Sequence, residues 1–157
     1  MPLQFKPDEK WAYSNTAYVL LGILIHQLTG KFYGEVLQEK VFNPLSMETI
    51  RVISEKDIVM NRSSGYELQN GEWKNQNWVS PSLNTTADGA LYFSILDLVK
   101  WDAAISKKKI LTSEDLETMV TPVQLNNGSQ HPYGFGWFLS PVNGHKAFQH
   151  KWYVAGI

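Results

Sequence analysis

The segment from Asn15 to Thr29 constrains the fold more than any other part of this sequence. Apolar side chains recur in it at three- and four-residue intervals, and most of its remaining faces are also apolar, at Tyr18, Val19, Leu20, Leu21, Ile23, Leu24, Ile25 and Leu28. This spacing predicts an α-helix that must be covered on all sides, and Gly30 is its expected left-handed stop. Its continuous apolar stretch, residues 17–25, is too short to cross the roughly 30 Å hydrocarbon layer of a bilayer. We therefore expect a core helix and no membrane span.

Size and composition exclude several classes of protein. The chain has 157 residues, of which 43% are apolar and 18% charged, and a domain of this size buries about 70% of its unfolded surface. The net charge of −1 gives no field that would attract nucleic acid. The absence of cysteine excludes disulfides, thiolate nucleophiles and cysteine-bound zinc. The start of the sequence lacks the basic-then-apolar order of a signal peptide, so none is predicted and the compartment stays unknown.

Local signals predict three further helices. One covers residues 33–41 and ends before Asn43-Pro44, because the residue before a proline avoids the helical region. Ser94-Ile95-Leu96-Asp97 is a capping box that begins a helix reaching about residue 106. Thr112-Ser113-Glu114-Asp115 begins another in the same way.

Strand signals are confined to two parts of the sequence. Residues 65–77 predict a hairpin that turns at Asn70-Gly71, since both central residues of such a turn tolerate positive φ. In residues 133–139 aromatic side chains alternate with glycines, which predicts a strand with a close backbone approach on one face. Asn143-Gly144 then turns the chain into two further short strands, over residues 147–150 and 153–157.

Tyr13-Ser14-Asn15 stands immediately before the first helix. Residues two apart in an extended segment point the same way, so a phenol and a carboxamide would project from one face. Local structure alone leaves Asn15 open as an N-cap and Tyr13 as an amphipathic residue beside it. The stretch FKPDEKWAYSNTAYVLLGILIHQLTGKFYGEVLQEKVFNPL, residues 5–45, resembles the serine β-lactamase and penicillin-binding-protein superfamily, in particular class C β-lactamases, DD-peptidases and related esterases.

A Y-x-N element is the second of three catalytic motifs in that superfamily. The resemblance implies that Tyr13 relays a proton, first as base and then as acid, and that Asn15 holds the motif lysine and the substrate amide. Four later segments are similar to the family in the same order, GYELQNGEW, GALYFSILDLVKWDAAI, ILTSEDLETMVTP and YGFGWFL. The resemblance therefore covers nearly the whole chain.

The elements and the resemblance together predict an α+β fold, a mainly helical lobe plus a small antiparallel sheet, as part of a β-lactamase/transpeptidase-like fold. We expect one partial catalytic domain over residues 1–157. Residues 1–128 would be mostly helical lobe, with the hairpin near 65–77, and residues 129–157 would supply strands of the central sheet.

The third catalytic motif of the superfamily is K-T-G or H-x-G on a strand at the edge of the cleft. His150 falls where the histidine of H-x-G belongs, but Trp152 stands in place of the glycine. An indole there would block the approach of a substrate backbone or displace the strand. A polar residue with no catalytic part is the alternative for His150.

The first motif, S-x-x-K, supplies the serine nucleophile and lies upstream of Y-x-N in this superfamily. Twelve residues precede Tyr13 here, and none of them is a serine, so we expect the chain to lack the nucleophile. Ser106-Lys107-Lys108-Lys109 has the same letters. It follows Tyr13, however, and lies in a hydrophilic turn after a predicted helix, so we interpret it as a chance match.

Two functions from different classes remain open. The first is a fragment of a serine hydrolase that acts by acyl-enzyme chemistry on D-alanyl peptides, β-lactams or small esters, and is inactive alone. The second is a non-catalytic truncated module that binds ligand or forms homo-oligomers, for instance by domain swapping. A carbohydrate-binding domain is a weaker alternative, based on six scattered tryptophans. The four histidines lack metal-site spacing, and no cofactor is predicted.

Overall fold

The computed structural model describes residues 2–52, 57–75 and 86–150. These ranges contain four α-helices, one π-helical segment and eight short strands, which pair into four two-stranded antiparallel sheets. The α+β class is therefore confirmed. The chain divides into two compact units, the first made of residues 1–14 and 103–152 and the second of residues 15–102 and 153–157. The expected single domain, which is mostly helical up to residue 128 and supplies strands after it, stays a prediction.

Helix α1, Asn15–Thr29, has the predicted bounds. Gly30 ends it with a φ of 70°, and its amide donates to the carbonyl of His26 at 2.8 Å. Because an L-residue with a Cβ is strained in that left-handed conformation, glycine suits the stop.

The expectation that α1 is covered on all sides is wrong for the described residues. Gly22 is its one buried residue, and its other faces leave large apolar side chains 49–77% exposed, at Leu20, Leu21, Ile23, Leu24 and Leu28. A Cβ on Gly22 would lie 2.7 Å from the Cβ of Ala87 and 3.7 Å from the ring of Tyr33. These neighbours reach a single narrow stripe of the helix, which is why the rest stays exposed.

Helix α2, Tyr33–Leu37, continues as a π-helix over Gln38–Phe42. The helical segment therefore ends one residue beyond the predicted limit and still before Pro44. Its last residue belongs to the main apolar cluster of the second unit, which is made of Phe42, Met47 and Ile50 with Leu37, Val41, Leu45, Leu91 and Trp101 around them.

The second unit contains two of the sheets. Strand β1, Arg51–Val52, pairs with β4, Leu91–Tyr92. Strands β2, Tyr66–Gln69, and β3, Glu72–Asn75, form the predicted hairpin. Asn70 and Gly71 connect them with φ values of 52° and 82°, as a tight turn with two left-handed residues requires.

Helix α3, Ile95–Ser106, begins where predicted, but its predicted capping box is only half formed. The Ser94 hydroxyl accepts from the Asp97 amide at 3.3 Å. The Asp97 carboxylate instead bonds to Thr49, and the Ser94 amide donates to the Thr49 hydroxyl at 3.1 Å. Asp97 is 1% exposed, and a buried carboxylate requires several donors.

The first unit contains helix α4, Ser113–Met119, and the other two sheets. The predicted box of α4 is complete, because Thr112 and Asp115 each accept from the amide of the other at 3.1 Å. Strand β5, Val123–Gln124, pairs with β6, Gln130–His131. Strand β7, Phe138–Leu139, pairs with β8, Phe148–Gln149.

The predicted strand over residues 133–139 is wrong in its first part, where the chain makes a tight turn. The amide of Gly134 donates to the carbonyl of Trp137 at 2.9 Å, and Gly136 has a φ of 79°. The predicted close approach is confirmed, since a Cβ on Gly134 would lie 2.1 Å from the carbonyl oxygen of Met119.

Strand β8 confirms the strand predicted over residues 147–150, whereas the one predicted over 153–157 lies outside the described residues. None of the helices in the described ranges combines the length and hydrophobicity needed to cross a bilayer.

Candidate active site

The N-terminal segment of the first unit is fixed by a loop far away in the sequence. The backbone amide of Asn126 donates to the carbonyl of Asp8 at 2.8 Å, and its side-chain amide donates to the carbonyl of Pro7 at 3.1 Å. Farther along this segment, the rings of Trp11 and Tyr13 both face Phe138. The hydrogen bonds therefore hold two aromatic residues of the N-terminal segment over β7.

Four rings form what we call the aromatic cluster, namely Trp11, His131, Tyr133 and Phe138. Trp11 stacks on His131 with ring centroids 4.0 Å apart and an interplanar angle of 16°. Tyr133 is 7% exposed and lies 5.0 Å from the centroids of both Trp11 and Phe138. The 5.0 Å separations lie within the roughly 4.5–7 Å range of favourable aromatic pairs, and the 4.0 Å stack of Trp11 on His131 lies slightly below it.

Tyr13 and His150 meet at the edge of this cluster. The hydroxyl oxygen of Tyr13 lies 3.4 Å from Nε2 of His150, across 137 residues of sequence. This separation is slightly beyond the roughly 2.7–3.2 Å of most hydrogen bonds, and catalytic hydrogen bonds are often long before substrate binds. Tyr13 is 44% exposed, and His150 is also exposed. Solvent and small molecules can therefore reach both groups.

The second nitrogen of His150 determines which group donates in this pair. Its Nδ1 lies 2.6 Å from the carbonyl oxygen of Gly136. A carbonyl can only accept, so Nδ1 carries the proton, and Nε2 of the neutral ring is then an acceptor. Beside the neutral ring, the hydroxyl of Tyr13 is therefore the donor to Nε2. This arrangement leaves His150 able to take a proton from the phenol.

Asn15 is the first residue of α1, in the second unit, and its side chain is exposed; its catalytic part stays a prediction. Trp152 lies outside the described residues. Ser106 is the exposed last residue of α3, and the lysines after it form an exposed turn, as expected for a chance match to S-x-x-K.

Sequence reasoning missed Phe138 and the carbonyl of Gly136. The pattern of residues 133–139 predicts only a strand at Phe138, and the ring contacts of Phe138 come from residues remote in the sequence. The available signal was the spacing of Trp11 and Tyr13, which places both rings on one face of an extended segment. A backbone carbonyl has no sequence signal at all.

A second polar group lies in the second unit. The hydroxyl of Tyr33 donates to the carbonyl of Thr86 at 3.0 Å. Burial, and then the charge of Asp88, raise the pKa of Tyr33 to about 12, so this phenol stays protonated and acts as a structural donor.

Within the described ranges, no three histidine, aspartate or glutamate side chains are arranged to hold a metal ion.

A protein-family model described as Beta-lactamase matches residues 1–152 of the chain. Penicillin-binding protein 4* of Bacillus subtilis (strain 168) is 31% identical over an alignment of 153 residues, and the match covers 89% of this chain and 34% of that protein. The chain thus spans about a third of the length of this curated relative.

Two solved structures are also similar. The octameric penicillin-binding protein homologue from Pyrococcus abyssi matches with a TM-score of 0.73 and 32% identity, over 90% of this chain and 33% of that chain. The D-amino acid amidase from Ochrobactrum anthropi SV3, complexed with L-phenylalanine amide, matches with a TM-score of 0.76 and 27% identity, over 94% of this chain and 44% of the amidase.

Proposed function

This chain belongs to the beta-lactamase family, as its motifs predicted, and from that premise we propose that it is part of a serine hydrolase in which Tyr13 and His150 transfer protons. The hydrolase forms an acyl-enzyme on the serine of an S-x-x-K motif, and water then cleaves it. This chain supplies the second motif and the histidine of the third. It is inactive alone, because none of its serines stands in a first motif upstream of Tyr13.

The observation that carries the proposal is the 3.4 Å approach of the Tyr13 hydroxyl to Nε2 of His150. For the phenol oxygen to take the proton of an attacking serine, it must give up its own. His150 accepts that proton at Nε2, because Nδ1 is held protonated by the carbonyl of Gly136. Tyr13 then gives the proton that it took from the serine to the leaving group and takes its own proton back from Nε2 of His150, which makes Tyr13 a base in the first half and an acid in the second.

The names of two relatives support a proposal for the substrate class. One is a penicillin-binding protein and another a D-amino acid amidase. We propose substrates in which a carbonyl bears an amine or alcohol leaving group: D-alanyl peptides, D-amino acid amides, β-lactams and small esters. Asn15 would bind the substrate amide, as the family resemblance implies.

Detection of an acyl-enzyme tests this proposal. A chimera that carries a family segment with S-x-x-K ahead of Met1 should hydrolyse D-phenylalanine amide, nitrocefin or p-nitrophenyl acetate, and mass spectrometry should detect its acylated serine. The 157-residue chain should show neither reaction. Turnover by this chain that survives Ser106→Ala but is lost in Tyr13→Phe would overturn the placing of the nucleophile outside it.

A second function, self-association as a non-catalytic module, is favoured by a separate observation. Five large apolar residues of α1 are between 49% and 77% exposed, and such a surface promotes association. The similar protein from Pyrococcus abyssi is octameric. A complex of copies would cover α1 without requiring any catalytic activity of the chain.

A further inference from the structure

We propose that Phe138 is a positioning residue, which sets the geometry of the Tyr13–His150 pair. This inference rests on the proposed function, because it assigns a role in placing the two proton-transfer groups. Phe138 has no titratable group and takes no part in proton transfer itself.

The contacts of the Phe138 ring are the first observation. Its ring lies parallel to that of Tyr13, with an interplanar angle of 7° and centroids 6.5 Å apart. The same ring lies 6.1 Å from the imidazole of His150, while the Tyr13 and His150 rings are 6.0 Å apart. The three rings form a nearly equilateral triangle. A displacement of Phe138 therefore affects both partners of the hydrogen bond.

The backbone of Phe138 is held by two strand pairings. It pairs with Gln149, the residue before His150, in the β7–β8 ladder, and also forms a bridge with Tyr133. On the other side its ring packs edge-on against the buried Tyr133 at 5.0 Å. Tyr13, by contrast, is 44% exposed. The firmly held ring thus provides the surface on which the exposed phenol rests.

The aromatic cluster extends this support to the N-terminal segment. Trp11 lies edge-on to Phe138 at 6.3 Å and stacks on His131 at 4.0 Å. Since Trp11 and Tyr13 are two residues apart on the same segment, Phe138 contacts that segment at both positions. Its ring therefore restrains the direction in which Tyr13 projects, and a leucine of similar polarity would not provide the flat face.

The test uses nuclear magnetic resonance of the 157-residue chain with labelled histidine and tyrosine rings. The wild-type chain should give a cross-peak between the ring protons of Tyr13 and His150, and ¹⁵N shifts of a ring protonated at Nδ1. Phe138→Leu should lose the cross-peak while it keeps the one between Trp11 and His131. Phe138→Tyr, which retains the ring, should preserve both. Phe135→Leu, at a 67% exposed neighbour, is the matched control.

Retention of the Tyr13–His150 cross-peak in Phe138→Leu would overturn the inference. If that variant does not fold, Phe138→Met provides the same test with a longer side chain. A failure of the proposed function would give a different result. The cross-peak would then be present and depend on Phe138, but the chimera would be as active with Tyr13→Phe as without that substitution.

Discussion

The carboxylate of Asp97 accepts hydrogen bonds from both the backbone amide and the hydroxyl of Thr49, at 2.8 and 2.5 Å. The same oxygen accepts from the amide of Ile50 at 3.0 Å, and the other oxygen lies 3.3 Å from the ammonium of Lys100. Asp97 therefore joins the first turn of α3 to the segment that leads into β1. This arrangement links two parts of the second unit that are far apart in sequence.

Removal of this carboxylate should destabilise the chain. Asp97→Ala leaves several donors buried without an acceptor and should lower the free energy of unfolding by about 3–5 kcal/mol. Asp97→Asn retains one acceptor oxygen and should cost about 1–3 kcal/mol. Urea unfolding followed by circular dichroism measures both values. Asp102→Asn, at an exposed position of the same helix, is the control, and equal stability of the Asp97→Ala and control variants would contradict the assignment.

The stability of the chain should also depend on pH through Asp97. Burial by itself would raise the pKa of this carboxyl, but the hydrogen bonds from Thr49 and Lys100 outweigh it and hold the pKa below its ordinary value of 3.8. The folded state therefore binds the proton less readily than the unfolded state. Its contribution to stability is present above about pH 4 and is lost as the pH falls through the folded-state pKa.

Unfolding measured in urea at a series of pH values checks this dependence. The difference in unfolding free energy between the wild-type chain and Asp97→Asn should shrink as the pH falls below about 4. Other carboxyls with lowered pKa, such as those of Glu39 and Asp115, are present in both proteins and cancel in the difference. A difference that does not vary with pH would show that the charge of Asp97 is unimportant.

Gly134 should not tolerate a side chain. A Cβ there would lie 2.1 Å from the carbonyl oxygen of Met119, which belongs to the backbone and cannot move aside. Gly134→Ala should therefore cost at least about 1–3 kcal/mol, the usual range for overpacking. Gly128→Ala is the comparison, because that position has open space and a φ of 81°, and should cost only the left-handed strain of about 1–2 kcal/mol. A smaller melting-temperature loss for Gly134→Ala would contradict this packing.

The exposed surface of α1 should make the chain self-associate. Leu20 and Leu24 lie one turn apart and are 59% and 50% exposed, so Leu20→Gln/Leu24→Gln should shift the chain toward smaller species. Size-exclusion chromatography with light scattering measures this shift. Ile58→Gln changes a residue that is 91% exposed outside α1 and should leave the distribution unchanged. A monodisperse wild-type monomer at micromolar concentrations would exclude the second function.

The sequence predicted those parts of the fold that depend on local chemistry. The bounds of α1, the Asn70-Gly71 turn and the Thr112 capping box were all correct, because each is determined by residues within a few positions of one another. The Ser94 box was half wrong, since Thr49, 48 positions before Asp97, competes for the carboxylate. The strand predicted for residues 133–137 was also wrong. The chain turns there, although the alternating pattern of these residues resembles that of a strand.

The candidate site shows the same limit. Tyr13 and His150 were predicted from motifs of the family, now confirmed as the family of this chain. The spacing of residues could not predict that their side chains meet, or that the carbonyl of Gly136 fixes the imidazole tautomer. Both depend on the way β7 and β8 pair, which no local pattern encodes.

The hydrolysis rate of the S-x-x-K chimera with Tyr13→Phe tests the central claim most directly. Loss of the phenol oxygen should lower kcat by about 10²–10⁴-fold, the usual contribution of a general acid or base. Tyr66→Phe, at a tyrosine that is 59% exposed in the β2–β3 hairpin, should keep the unmodified rate. If Tyr13→Phe and Tyr66→Phe hydrolyse p-nitrophenyl acetate equally fast, Tyr13 does not transfer the proton and the account is contradicted.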